Sequence, residues 1–137
     1  MRYSAGRYGV KSMNKITKLE DIEAWQDARI LAKTIYKITA DWKDFSLKDQ
    51  MRRAAISIMA NIAEGYGRGG NKEFAQFMFI SKASASELQS HLYLSLDLNY
   101  VLQDDFYTIY EQLDKVQRKL SAFIKVLRNN AINSITR

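Results

Sequence analysis

The sequence predicts an all-α protein, an antiparallel up-down-up-down four-helix bundle, and three observations carry that prediction. Proline is absent, and the six glycines fall in two places only, Gly6 and Gly9 near the start and Gly65, Gly67, Gly69 and Gly70 in one loop. With the strongest breakers so confined, the rest of the chain is free to be helical. Phe106, Ile109, Leu113, Val116, Leu120, Phe123 and Leu127 are spaced 3-4-3-4-3-4, a heptad seam that faces partner helices. The segments between apolar-periodic stretches are short, which favours antiparallel neighbours.

The elements follow in order. Residues 1–18 hold five Lys/Arg, no acid and no apolar periodicity, and read as a flexible basic tail. Residues 19–130 form the bundle, and residues 131–137 a C-terminal tail. The first helix is expected over residues 22–42, with Trp25, Ala28, Leu31, Ala32, Ile35, Ile38 and Trp42 on one face. Ser46, with Asp49 three residues on, resembles a capping box that opens the second helix, residues 47–66. The glycine loop closes that helix through a glycine C-cap. The third helix spans about residues 71–98, where Asn99 tolerates a left-handed terminus. Asp104 or Asp105 caps the fourth, which runs to about residue 130.

The second helix is apolar in nearly every direction, with only Arg53, Ser57, Asn61 and Glu64 forming a narrow polar stripe. A helix apolar almost all round is a buried one. The third adds Phe77, Met78, Phe79 and Ile80 in succession, which point to every side. Because a bundle helix needs only about three apolar residues in seven, this surplus predicts self-association.

Composition narrows the function classes. A chain of 137 residues is one domain by length. It has no cysteine, so disulfides, thiolate metal sites and cysteine nucleophiles are excluded together. No apolar run approaches the roughly 20 residues that span a bilayer, and no signal-peptide core follows the basic start, so a cytoplasmic location and no membrane contact are expected. The net charge of +6 is uneven: residues 1–18 carry +5, residues 115–137 carry +6, and the remainder is acidic. Positive ends of this kind suggest a polyanionic partner. The expected nucleic-acid contacts are Lys115, Arg118, Lys119, Lys125 and Arg128 on the fourth helix, with Arg68 and Lys72 beside the glycine loop.

No catalytic residue, metal site or cofactor is expected. His91 is the sole histidine, and Ser84, Glu87 and His91 stacked along one helix do not converge on one proton path. Bundle di-iron sites use Glu-x-x-His pairs on two helices, which one histidine cannot supply. The loop from Gly65 to Lys72 follows a helix and lacks the Gly-Lys-Ser/Thr ending of a phosphate loop. The polar residues of the middle helices, Arg53, Ser57, Asn61 and Glu64 with Ser84 and Glu87, are expected to form a structural network that fixes helix register.

The motif Gln50…Arg53-Ala54-Ala55-x-Ser57-Ile58…Asn61-Ile62-Ala63-Glu64-Gly65, followed by Lys72-Glu73-Phe74 and Ser84-x-x-Glu87-Leu88, resembles the proteins of bacterial 23S ribosomal RNA intervening sequences. The likeness covers about residues 19–127 and includes Trp25, Tyr36 and the Leu98-Asn99-Tyr100 turn. Ser46 stands where that family has a proline, and Asn99 where it has a glycine; both suit a turn. The resemblance implies a four-helix bundle assembling as a ring-like homopentamer. It also connects to the accessory variability proteins of diversity-generating retroelements, which work with a reverse transcriptase and its template RNA. Two function classes follow: a nucleic-acid-binding assembly protein, or a protein-interaction scaffold with no nucleic-acid role.

Overall fold

The computed structural model describes residues 16–135, with side chains placed as far as residue 130. The expected N-terminal tail, apart from its last three residues, lies outside the described residues. A 3₁₀ turn at Leu19–Asp21 leads into α1 (Glu23–Ile38), α2 (Phe45–Gly67), α3 (Asn71–Asp97) and α4 (Gln103–Ile135). Each helix packs on two others in the cyclic order α1–α2–α3–α4–α1, with α2 against α3 the most extensive seam and α1 against α4 the least. Joined by short connections, they form the expected four-helix bundle, with no strand among the described residues.

Every residue of the heptad seam on α4 is buried, from Phe106 to Leu127. They meet Leu31 and Ile35 of α1, Ile58 and Ile62 of α2, and Met78, Leu88 and Leu92 of α3 in one core. The second helix is less enclosed than its composition implies. Ile56 is 44% exposed, and Ala60 beside it is also on the surface.

The helix ends correct three expectations, each for a local reason. First, α1 stops at Ile38 because Thr39 turns its hydroxyl back to the Ile35 carbonyl (2.8 Å) and Arg52 of α2 donates to the carbonyl of Tyr36 (3.1 Å) and to Thr39 Oγ1 (2.9 Å). A guanidinium thereby satisfies the carbonyl end of α1, where a cation is favoured. Second, the N-cap of α2 is Asp44, whose Oδ1 accepts from the Leu47 amide (3.1 Å), and not Ser46 with Asp49. Third, α4 begins at Gln103, so Asp104 and Asp105 occupy its first turn as dipole partners instead of capping it.

Asn99 behaves as its residue type predicts. It sits at φ 60°, and the amides of Asn99 and Tyr100 bond to the carbonyls of Leu96 and Ser95. That pair of bonds is a Schellman closure of α3. Tyr100 then packs at a tilt against Trp42 (centroids 5.2 Å apart) and donates its hydroxyl to Asp44 Oδ2 (3.1 Å), joining the two turns at this end of the bundle. The hydrogen bond to Asp44 raises the Tyr100 pKa, since ionisation would set a phenolate beside a carboxylate. A raised folded-state pKa stabilises below the unfolded value and is lost as pH rises through the folded one. Melting temperature should therefore decline above tyrosine's ordinary range, about pH 10, and decline less in Tyr100→Phe; equal declines in both proteins would remove the bond from the account.

The glycine loop divides its labour. Gly69 takes the left-handed conformation (φ +83°) and Gly70 is the N-cap of α3. Gly65 lies inside α2, where its missing side chain lets α3 approach. Ser81, fully buried, adds to that closeness by donating to the Ile58 carbonyl (2.7 Å).

Candidate functional site

Where α3 and α4 run side by side, their outer surfaces leave a groove of about 640 Å³, lined by Lys82, Ser86, Gln117, Arg118, Ser121, Ala122 and Lys125. It continues into a second depression that shares Lys82, Ser121 and Lys125 and adds Phe79, Ile124, Arg128 and Asn129. Small residues create it: Ser86, Ser121 and Ala122 leave room that larger side chains would fill. The lining holds four cations, Lys82, Arg118, Lys125 and Arg128, and no carboxylate. Hydroxyl and amide groups supply further donors; Gln117 Nε2 reaches Ser86 Oγ across the groove at 3.4 Å. At one end the Arg128 guanidinium lies 4.7 Å from the centroid of the Phe79 ring.

The residues expected to contact nucleic acid are distributed unequally. Arg118, Lys125 and Arg128 line the groove, with Arg118 held to Asp114 one turn earlier (2.7 Å). Lys119 does not. It is 7% exposed, turned into the α1–α4 seam, with its ammonium 2.5 Å from Asp27 Oδ2 and 3.9 Å from Glu23 Oε1. Lys115 faces the other oxygen of Asp27 at 3.7 Å. The cause is helical phase: residues 115 and 119 lie one turn apart on the α1 side, whereas 118, 125 and 128 turn toward α3. Arg68 pairs with Glu64 (2.8 Å) and lies over Phe77, and Lys72 is exposed in the first turn of α3. Neither lines the groove.

Lys82 was absent from the expected set. Between Lys72 and the end of α3 it is the only lysine or arginine. With Phe79 and Ser86 at i−3 and i+4 it marks one face of the helix, a signal that identifies the groove only once the partner helix is known.

The polar residues of α2 and α3 come together in part. Ser57 and Ser84 hydroxyls meet at 2.7 Å, and Asn61 Nδ2 donates to Ser57 Oγ (3.0 Å) and to the Ser57 carbonyl (2.8 Å). Arg53, Glu64 and Glu87 are exposed and outside this cluster; Glu64 engages Arg68, and Glu87 lies 3.4 Å from His91 Nε2. Since Ser84 is committed to Ser57 and the Ile80 carbonyl, Ser84, Glu87 and His91 do not assemble into a relay. Among the described residues no group of three or more His, Cys, Asp or Glu could hold a metal ion, and no helix is long and apolar enough to cross a membrane.

The profile of the 23S rRNA-intervening sequence proteins matches residues 20–122. No curated protein matches the chain. Among solved structures it is similar to a protein of unknown function from the S23 ribosomal protein family of Bacteroides thetaiotaomicron. The two are 24% identical, with a TM-score of 0.70, over 74% of this chain and 98% of that one. At that identity the likeness concerns the fold, and the fold is the same helical bundle.

Proposed function

We propose, from the premise that the chain belongs to the 23S rRNA-intervening sequence protein family, that it is a non-enzymatic, homo-oligomeric bundle protein that binds nucleic acid electrostatically through the α3–α4 groove. One observation carries this reading: four cations line a concave surface that contains no carboxylate. Phosphates displaced onto such a surface release condensed counterions, so affinity comes with a steep salt dependence and little sequence preference. Lys119, buried against α1 carboxylates, contributes to the fold instead, and Lys115 lies on the α1 side, outside the groove.

Fluorescence anisotropy with labelled RNA and DNA across a salt series tests the reading. Lys82→Glu with Lys125→Glu should lower affinity at least tenfold for every sequence and flatten the log-log salt slope by about 1.5 to 2 units. Lys115→Glu should do far less. No binding at micromolar protein in low salt overturns the proposal.

Self-association is supported by Ile56 (44% exposed) and Ile80 (48% exposed) on the outer sides of α2 and α3, with exposed Ala60 and Ala83 close by in sequence. Phe79, which points to the groove, is not part of that face. A closed assembly would repeat the groove and raise avidity without any new contact. Light scattering should give a multiple of the 15.8 kDa chain mass, and Ile80→Asp should reduce it; a monomer in the unaltered protein sinks the assembly.

A further inference from the structure

We propose that the groove takes a single strand of nucleic acid and discriminates against a duplex, with one unstacked base lying on the Arg128–Phe79 stack; this rests on the nucleic-acid reading above. Packed helices have axes about 8–10 Å apart, so the furrow between α3 and α4 is narrower than even the major groove of a duplex, about 12 Å. A duplex can only touch its rim, whereas one sugar-phosphate backbone can enter. The cations follow the furrow. From Arg118 to Arg128 on α4 the axial distance is about 15 Å at 1.5 Å per residue, which fits a few consecutive phosphates, while Lys82 approaches from α3.

At the end of this track stands the feature that distinguishes a strand from any other polyanion. Phe79 is 42% exposed, and the guanidinium of Arg128 lies over its ring. The ring supports the guanidinium from one side, and Arg128 is itself exposed. Unpaired bases stack on aromatic rings and on guanidinium planes, a contact that paired bases inside a duplex cannot make. Phosphates would thus be held by Lys82, Lys125 and Arg118, and the base by a preformed platform. Because phosphates and base faces are common to RNA and DNA, either strand chemistry should be accepted.

The test compares single-stranded RNA, single-stranded DNA and the matching duplex DNA, each about 12 nucleotides long and within known single-strand site sizes. The unaltered protein should bind at least one single strand about tenfold more tightly than the duplex. Phe79→Leu, which keeps apolar bulk, and Arg128→Lys, which keeps charge but not the plane, should each bring single-strand affinity close to that for the duplex. Arg128→Lys should leave the salt slope unchanged, and both variants should retain the unaltered protein's mass by light scattering. Equal or tighter binding of duplex overturns this inference and leaves electrostatic nucleic-acid binding standing. A single-strand preference that survives in both variants removes the Arg128–Phe79 platform. Failure to bind any of the three overturns both proposals.

Discussion

Lys119→Ala is expected to cost about 3 kcal/mol, the lower end of what removing one partner of a buried ion pair costs, and to lower the melting temperature by roughly 10 °C for a chain of this size. The loss comes from what the lysine leaves behind. Asp27 Oδ2 is buried, and the Lys119 ammonium at 2.5 Å is the group that offsets its charge. Glu23 lies 3.9 Å from the same ammonium, and Lys115, the other lysine near Asp27, is largely solvated. Alanine would also empty space in the seam that has the fewest other contacts to hold it, α1 against α4. Replacing both partners, Lys119→Leu with Asp27→Leu, should recover most of the stability, because an apolar pair requires no desolvation of charge. The full cycle of single and double variants measures the coupling. A melting-temperature change under about 3 °C in Lys119→Ala would mean that the pair is solvated and contributes as little as a surface pair.

Gly65→Ala gives the second large effect, and its sign is diagnostic. Helix propensity alone favours alanine over glycine by about 1 kcal/mol. Packing opposes it: a Cβ at Gly65 would lie 2.7 Å from Phe77 Cβ, 2.9 Å from Phe74 Cδ1 and 3.3 Å from the Phe74 carbonyl oxygen. Phe77 Cβ is fixed to the α3 backbone and cannot swing aside, so α3 itself would have to move. Overpacking of this kind costs about 1–3 kcal/mol. The expected net result is a loss of up to about 2 kcal/mol, read as a melting temperature several degrees lower, with Gly65→Val worse. Gly67→Ala is the control: nothing lies within 4 Å of its Cβ position, so propensity should prevail there and the variant should be neutral or slightly stabilised. A stabilised Gly65→Ala would show that the α2–α3 seam yields easily.

Neither substitution is conspicuous in the sequence. Lys119 sits among other basic residues and reads as one more member of a positive surface. Gly65 reads as the first residue of a loop, since a glycine near a helix end is usually its terminator. In both cases the deciding fact is which neighbouring helix the residue meets. Arg52 is a similar case: an ordinary basic residue of α2 by sequence, it closes the end of α1 through Thr39 and the Tyr36 carbonyl and lies over the Tyr36 ring at 4.2 Å.

The sequence by itself determined the number, order and approximate length of the helices, the seam that α4 presents to the core, the left-handed turn at Asn99, and the excess of apolar surface on α2 and α3. Those properties depend on spacing along a single helix or on one residue's conformational range, and both are local. The tertiary structure alone decided which cations turn toward the groove. Five basic residues of α4 lie within four turns of one another, yet helical phase sends Lys115 and Lys119 to the carboxylates of α1 and turns Arg118, Lys125 and Arg128 toward α3, where Lys82 completes a groove. A charge pattern fixes how many cations a helix carries; only the neighbours packed against it fix which of them meet another helix's carboxylates and which line a groove.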